Sequence, residues 1–524
     1  MKSGHCETVH FDDASTNVHL MNIYLHWMYM MTRSLRAPAR AFFTLVTEAT
    51  FANPFGEERA ELDRRLARAD APSEGRDLDR ALTGLAARLE TLAVRDARDL
   101  RAYGESDRAL LENAVLFRIF HAHTAALDDL IERQVRSGAV QTPPAFAQKM
   151  FGELSSYGWD AKGAARLVAI FFQMRRAFFF VDRGLTGRSA SMRKLRERLW
   201  NNVFTHDLRV YERHLSTRME DFSTILLGET GSGKGTAASA IGRSGFIPFD
   251  PAKGKFVESF TRAFVTINLS QYPENLIESE LFGHKKGAFT GAIETHEGVF
   301  ERCSPHGAIF LDEIGEVTIP VQIKLLNVLQ ERRFLPVGSH ETKRFEGRVI
   351  AATNRTLSER LETGAFRHDF YYRLCSDVIE VPPLRVRLSE RPEEMDDLLR
   401  HLVENIAGEK SEELVAFARS AIATGVGDAY AWPGNVRELE QAVRRILMTS
   451  AYEPRPAAAA RDLEDRLLGS IAEGTLDAHE VLSRYCALLY RRHGTYEEVA
   501  KRTKLDRRTV KKYVLEHWDP AARA

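Results

Sequence analysis

The sequence predicts an α/β phosphate-loop core with a helical lid, set between a mostly α-helical N-terminal region and a short helical C-terminal segment. Three observations predict it: a glycine-rich stretch directly after an apolar run, a second apolar run ending in two acids, and a change of apolar spacing on either side of them. The chain's 524 residues exceed what one core holds, so several domains are expected. Its 44% hydrophobic and 28% charged residues are ordinary for a soluble globular protein. Lys plus Arg and Asp plus Glu each total 73, so any nucleic-acid surface must be a local patch. Cys6, Cys303, Cys375 and Cys486 form no C-x-x-C pair. That excludes a disulfide framework and a cysteine zinc site, and fits a reducing cytosol.

Residues 1–184 carry the 3.6-residue period of helices, as in Leu78–Leu92 and Ala109–Ile131, with a break at Pro72–Arg76. The apolar stretch Val18–Met31 has 14 residues and two histidines. A bilayer span needs about 20, so a buried helix and no membrane contact are expected, with Met21 an alternative start to Met1. Phe171, Phe172, Phe178, Phe179 and Phe180 are expected on a helix packed against its neighbours, a ligand-sensing pocket being the other reading. Nothing resembles a phospho-acceptor, so this region is expected to be regulatory from its position alone.

From Leu185 short apolar runs alternate with helical patterns, the texture of an α/β domain over 185–388. Ile225–Leu227, Phe264–Ile267, Ala308–Leu311 and Val349–Ala352 are the expected buried strands. The spacing is helical again over 389–452, the expected lid. Glu453–Ala460 is a Pro/Ala linker, and 461–524 is helical and basic.

Gly228–Gly235 reads GETGSGKG, directly after Ile225–Leu227. Such a loop turns backbone N–H groups inward around phosphates at a helix N-terminus, with Lys234 reaching the outer phosphates of ATP. The stretch Gly228, Glu229, Thr230, Gly231, Ser232, Gly233, Lys234, Gly235 and Thr236 is therefore the expected cradle. Gly235 stands where a Ser or Thr usually holds Mg2+, and Thr236 comes one residue later. Ala308–Glu313 reads AIFLDE, which places Asp312 on Mg2+ and Glu313 beside the attacking water.

With Glu278–Ala292, ESELFGHKKGAFTGA, residues 185–450 resemble the AAA+ domain of bacterial enhancer-binding proteins, the sigma-54 activators. Gly287, Ala288, Phe289, Thr290, Gly291 and Ala292 spell GAFTGA, the loop by which that family touches sigma-54. A specified hexapeptide arises by chance in roughly one such chain in 10⁵. The resemblance implies further roles. Asn268 is similar to the asparagine that holds the catalytic glutamate inactive. Thr353 and Asn354 look like the first sensor of the γ-phosphate, and Arg437 in WPGNVRELE like the second. Arg367 and Arg373 fall where the family has arginine fingers, which implies an active site shared between subunits of a hexameric or heptameric ring. The family usually has Glu where Gly235 stands, which leaves Asp312, Glu313 and water around the metal. Between Gly187 and Gly228 the chain is longer than typical by roughly 14 residues.

Residues 494–514 resemble the helix-turn-helix that ends these activators, with Thr503–Leu505 as turn and Asp506 as cap. Arg507, Arg508, Thr509, Lys511 and Lys512 lie on the second helix. Across Arg491–Glu516 nine Lys/Arg face four Asp/Glu, a local net charge of +5. The reading is an ATP-dependent activator that remodels sigma-54 RNA polymerase from upstream enhancer DNA in the cytoplasm. Two rivals are another AAA+ remodeller, which the intact GAFTGA opposes, and a repressor with a vestigial ATPase, which the intact acids and arginines oppose.

Overall fold

A computed structural model describes residues 32–68, 76–138, 143–354, 357–427, 430–453, 467–472 and 474–516. Cys6, the expected helix Val18–Met31, residues 72–75 of the expected break and residues 454–460 of the expected linker lie outside them. The chain divides into two compact units, Met1–His401 with Gly434–Arg437, and Leu402–Pro433 with Glu438–Ala524.

The first unit opens with helices α1 (Ala37–Phe51), α2 (Glu57–Arg68), α3 (Asp77–Thr91), α4 (Ala97–Arg101), α5 (Glu105–Ala122), α6 (Thr124–Ser137), α7 (Ala147–Ser156) and α8 (Ala161–Gly184). The single period expected over Ala109–Ile131 is two helices. At His123 the backbone leaves helical geometry (φ −107°, ψ 4°), and the Thr124 hydroxyl bonds the His121 carbonyl across the break. The aromatic stretch of α8 packs in a core. Phe172 stacks on Phe256 with ring centroids 4.4 Å apart, Phe178 stacks on Phe55 at 5.3 Å, and Phe180 meets Phe260 edge-on at 5.4 Å. Phe256 and Phe260 belong to the following domain, so the N-terminal helices and the α/β domain share one hydrophobic core.

Helix α9 (Ala190–Phe204) leads to a parallel five-stranded sheet of β1 (Thr224–Leu227), β4 (Phe264–Asn268), β5 (Ala308–Asp312), β8 (Arg348–Thr353) and β9 (Asp377–Glu380). Its order is β4-β5-β8-β1-β9. Four of these are the expected apolar runs, each a residue or two longer. The edge strand β9 was not expected: DVIE is short and half acidic, and edge strands are not buried on both faces. Two antiparallel pairs, β2 (Phe249–Asp250) with β3 (Lys255–Phe256) and β6 (Arg333–Phe334) with β7 (Lys343–Arg344), have two residues per strand, too few to show a period. Helices α10 (Lys234–Gly242), α11 (Glu274–Phe282), α12 (Ile319–Glu331), α13 (His368–Leu374) and α14 (Leu384–Glu390) are the longer helices around the five-stranded sheet.

Lid helix α15 (Glu394–Ala407) runs from the first unit into the second, which holds α16 (Glu412–Val426); α17 (Asn435–Thr449) starts in the first and continues in the second. Within the second unit, Tyr430 and Tyr452 both donate to one Glu438 oxygen (2.6 and 3.0 Å), and Trp432 stacks on Tyr452. The remaining helices, α18 (Ala478–His493), α19 (Tyr496–Thr503) and α20 (Arg507–Glu516), close on Cys486, Leu489, Val499, Val510 and Val514. Among the described residues no helix is long and apolar enough to cross a membrane.

Candidate functional site

The sheet register gathers the site. Asn268 lies opposite Asp312, and Leu227 opposite Thr353, so the C-terminal ends of β4, β5, β8 and β1 share one edge. The loop 228–233 leaves β1 there and enters α10. Gly231 and Gly233 take positive φ (78° and 110°), and a Cβ on Gly231 would fall 2.3 Å from the Gly434 carbonyl.

Lys234 is nearly buried, and its ammonium donates to the carbonyls of Gly228 (2.8 Å) and Glu229 (3.1 Å). Burial holds its pKa below the ordinary lysine value, against the opposite pull of Glu313 and Asp312. The Ser232 hydroxyl is buried with no partner among the described residues, and space is open beside Gly233 and Gly235. A helix N-terminus, an unpaired hydroxyl and a nearby ammonium suit a phosphate chain.

Glu229 is anchored by Arg385 (2.6 Å) and by the Asn435 side-chain amide (3.1 Å), which keeps its carboxyl below the usual range. Asn435 also donates to the Thr230 carbonyl and accepts from the Leu384 N–H. The sequence reading named its neighbour Arg437 and missed Asn435. Its backbone is left-handed (φ 54°), and its side chain bridges the loop and the start of Leu384–Glu390. Arg437 sits against the same loop, its Cβ 2.8 Å from where a Gly231 Cβ would be, and its charge reaches Lys234.

Asp312 ends β5, and Glu313 follows in left-handed backbone (φ 57°), its N–H bonded to Asp312 Oδ1 at 3.0 Å. Burial first, then the Asp312 charge, raise the Glu313 carboxyl above the ordinary range, while Lys234 and the Asn354 N–H oppose this. A cavity of about 430 Å³ opens beside Glu313, lined also by Ser270, Glu316, Thr318 and Asn354. It offers room for a water. Two adjacent carboxylates fit a hard ion that keeps most of its ligands as water and phosphate, as Mg2+ does. Among the described residues no cluster of three or more acids, histidines or cysteines could hold a metal unaided.

Asn354 donates to the Thr230 hydroxyl (3.0 Å), and Thr353 is buried beside Gly315, so both residues of the expected first sensor lie beside the loop and the acids. Asn268 is beside Asp312, but its amide oxygen accepts from Ser270 N–H (3.0 Å) and hydroxyl (2.7 Å); no bond to Glu313 is found among the described residues. Arg367 forks onto its neighbour Asp369 (3.0 and 2.6 Å). Arg373 donates twice to the Leu329 carbonyl (3.1 and 2.9 Å), one of the open carbonyls at the end of α12. Neither guanidinium is bonded to its own chain's phosphate loop.

The loop Gly287–Ala292 is closed by Gly287 N–H to Ala292 O (2.8 Å), with both glycines at positive φ. Phe289 and Thr290 are exposed at its tip, and the Phe289 ring meets His284 edge-on at 4.9 Å. In the second unit, Asp506 caps α20 through the Arg508 N–H (2.7 Å). Arg508, Lys511 and Lys512 are exposed, Thr509 is half-buried, and Arg507 pairs with Glu497 at 2.7 Å.

A family model described as Sigma-54 interaction domain matches residues 203–380, and one described as AAA+ ATPase lid domain matches 389–478. The hydrogenase transcriptional regulatory protein HoxA of Cupriavidus necator is 40% identical over 255 residues, covering 48% of this chain and 49% of that one. The DNA-binding transcriptional regulator NtrC of Rhizobium meliloti is 36% identical over 293 residues, 56% of this chain and 53% of that one. The chain spans about half the length of the curated relatives it matches. Among solved structures, NtrX from Brucella abortus in complex with ATP is similar at 21% identity and a TM-score of 0.37, over 68% of this chain and 76% of that one.

Proposed function

Because the chain belongs to the bacterial sigma-54-dependent enhancer-binding activators, we propose that it is an ATP-driven remodeller of sigma-54 RNA polymerase, working in the cytosol from upstream DNA. The observation that carries this reading is the exposed Phe289–Thr290 tip, borne by the same domain whose strand ends gather Lys234, Asp312 and Glu313.

Lys234 and the loop N–H groups bind the phosphates of ATP, Thr353, Asn354 and Arg437 read them, and Glu313 orients the attacking water. Asp312 and Glu313 would hold Mg2+ together with water, and the ion would supply charge neutralisation at the transferring phosphate. Arg367 and Arg373 act on the neighbouring subunit's nucleotide in a hexameric or heptameric ring; for Arg373 this requires release from the Leu329 carbonyl. Asn268 influences Glu313 only after leaving Ser270.

The loop transmits force and does no chemistry. Thr290→Ala should therefore hydrolyse ATP within about twofold of wild type and fail to open a sigma-54 promoter. Promoter melting with purified polymerase tests this, and full activation by the variant would move the function elsewhere among AAA+ proteins.

The C-terminal helices bind DNA as a helix-turn-helix, with α20 in the major groove. Arg508 and Lys511 lie in its first turns, where such helices meet base edges. Arg508→Ala should cost about 1–3 kcal/mol at a preferred site and little on random DNA. Lys504→Ala, at the turn, should weaken both alike. Titrations on selected and random duplexes at two salt concentrations separate these; equal losses for Arg508→Ala would make α20 a phosphate clamp.

A further inference from the structure

The three carbonyls that follow the phosphate-loop helix α10 are all taken by side chains of α8. Arg176 donates through Nη1 to the Arg243 carbonyl and through Nη2 to the Gly245 carbonyl, both at 2.8 Å. Between them, Gln173 Nε2 donates to the Ser244 carbonyl at 2.9 Å. Arg176 is fully buried, and its guanidinium lies over the rings of Phe172 and Phe260, 4.6 and 5.6 Å from their centroids. A helix C-terminus carries the negative end of the helix dipole, so a cation there is favourable. A guanidinium this deep stays only where carbonyls and ring faces replace its water.

The contact extends along the whole of α10. Ala177 and Val181 of α8 share a core with Ala237, Ala238, Ala240 and Ile241 of α10. At the other end, Gly184 faces the methyl group of Thr236, next to the phosphate loop. The two helices therefore run antiparallel, and small alanines let them approach closely. Beside this contact a cavity of about 500 Å³ borders Gln173, Tyr211, Ile241, Gly242 and Ser244, while Ile241 is buried and Gly242 lies close against the Phe264 ring. The clasp from α8 supplies the side-chain hydrogen bonds to the carbonyls beyond the tail of α10, in addition to the packing of Ile241 and Gly242. Because α10 begins at Lys234, its axis also sets where the loop's N–H groups point.

We propose that Arg176 and Gln173 are positioning residues for the nucleotide site, and that through them nucleotide occupancy and the packing state of the N-terminal helices form one linked equilibrium. The proposal rests on the ATP-binding reading above. It gives the N-terminal region a physical route to the ATPase without contact at the phosphates. Linkage is reciprocal: whatever loosens α8 weakens nucleotide binding, and nucleotide tightens α8 by the same factor.

Hydrogen–deuterium exchange on the full chain, with and without ADP and Mg2+, tests the wild-type protein directly. Nucleotide should slow exchange over 228–242 and also over 168–184 in α8. Protection confined to 228–242 would overturn the proposal. No protection anywhere would instead remove the nucleotide site, and the proposal's premise with it. Variants give a second readout. Arg176→Met should weaken ADP binding about 3- to 30-fold and raise KM for ATP correspondingly, with kcat within about twofold at saturation. Arg176→Lys, which keeps the charge and fewer bonds, should fall between. Should Arg176→Met not fold, Gln173→Met, which loses only the Ser244 and Tyr211 bonds, should show the same split. A loss of kcat with KM unchanged in a folded variant would refute the positioning role.

Discussion

Glu313→Gln should bind ATP with near-normal affinity and release phosphate about a hundredfold to ten-thousandfold more slowly, the usual range for removing a positioned base. The carboxylate stands one residue beyond β5 in left-handed backbone, facing a cavity wide enough for water, and glutamine keeps its size while losing its charge. Lys234→Ala should do the opposite and abolish binding, since that ammonium is held over the loop itself. Fluorescent-nucleotide titration and phosphate release on both variants separate the roles. Substantial turnover by Glu313→Gln would sink the assignment. There is a pH counterpart. Only ionised Glu313 can polarise water, and burial beside Asp312 raises its pKa. In the nucleotide-free chain the Glu313 carboxyl should therefore titrate above the ordinary carboxylate range, and the Gln variant should lack that titration.

A chain starting at residue 185 should fail to form a stable ATPase domain. Ile247, Phe249, Phe256 and Phe260 are buried in the core they share with the N-terminal helices. Exposing four such side chains costs on the order of 6–12 kcal/mol, comparable with the whole stability of a domain. Residues 185–524 should bind a hydrophobic dye and show no cooperative melt of the α/β domain, whereas full-length protein melts cooperatively. A truncated chain melting within a few degrees of full length would show that these helices are an appendage.

What the sequence reveals of this molecule follows from how local each feature is. Lys234, Asp312 and Glu313 were legible because a phosphate loop and an acidic strand end need neighbouring residues in fixed order. The strands that lead to them were legible because each holds an uninterrupted apolar run, Ile225–Leu227 and Ala308–Leu311, in the middle of the sheet. The pairs β2–β3 and β6–β7 are too short to have a pattern. Arg176 was invisible for another reason: its partners lie 67 and 69 residues away, and in sequence it is one of four arginines in an amphipathic helix. Asn435, 206 residues from Glu229, escaped in the same way. Arg367 and Arg373 were read from the family resemblance, and in this chain they bond Asp369 and the Leu329 carbonyl.

Gly235 bears on how this protein can evolve. Its place in the first turn of α10 is exposed, and no atom lies within 4 Å of where a Cβ would project. Its φ is ordinary, so neither crowding nor backbone strain confines the position to glycine. Glycine there even disfavours the helix slightly, by about 1 kcal/mol relative to alanine. A lineage could therefore pass from glycine to a hydroxyl or carboxylate side chain in one step, with no compensating change in the core. Metal affinity would be a freely adjustable trait here, while the brace of α8 on the same helix would change only through several coordinated substitutions.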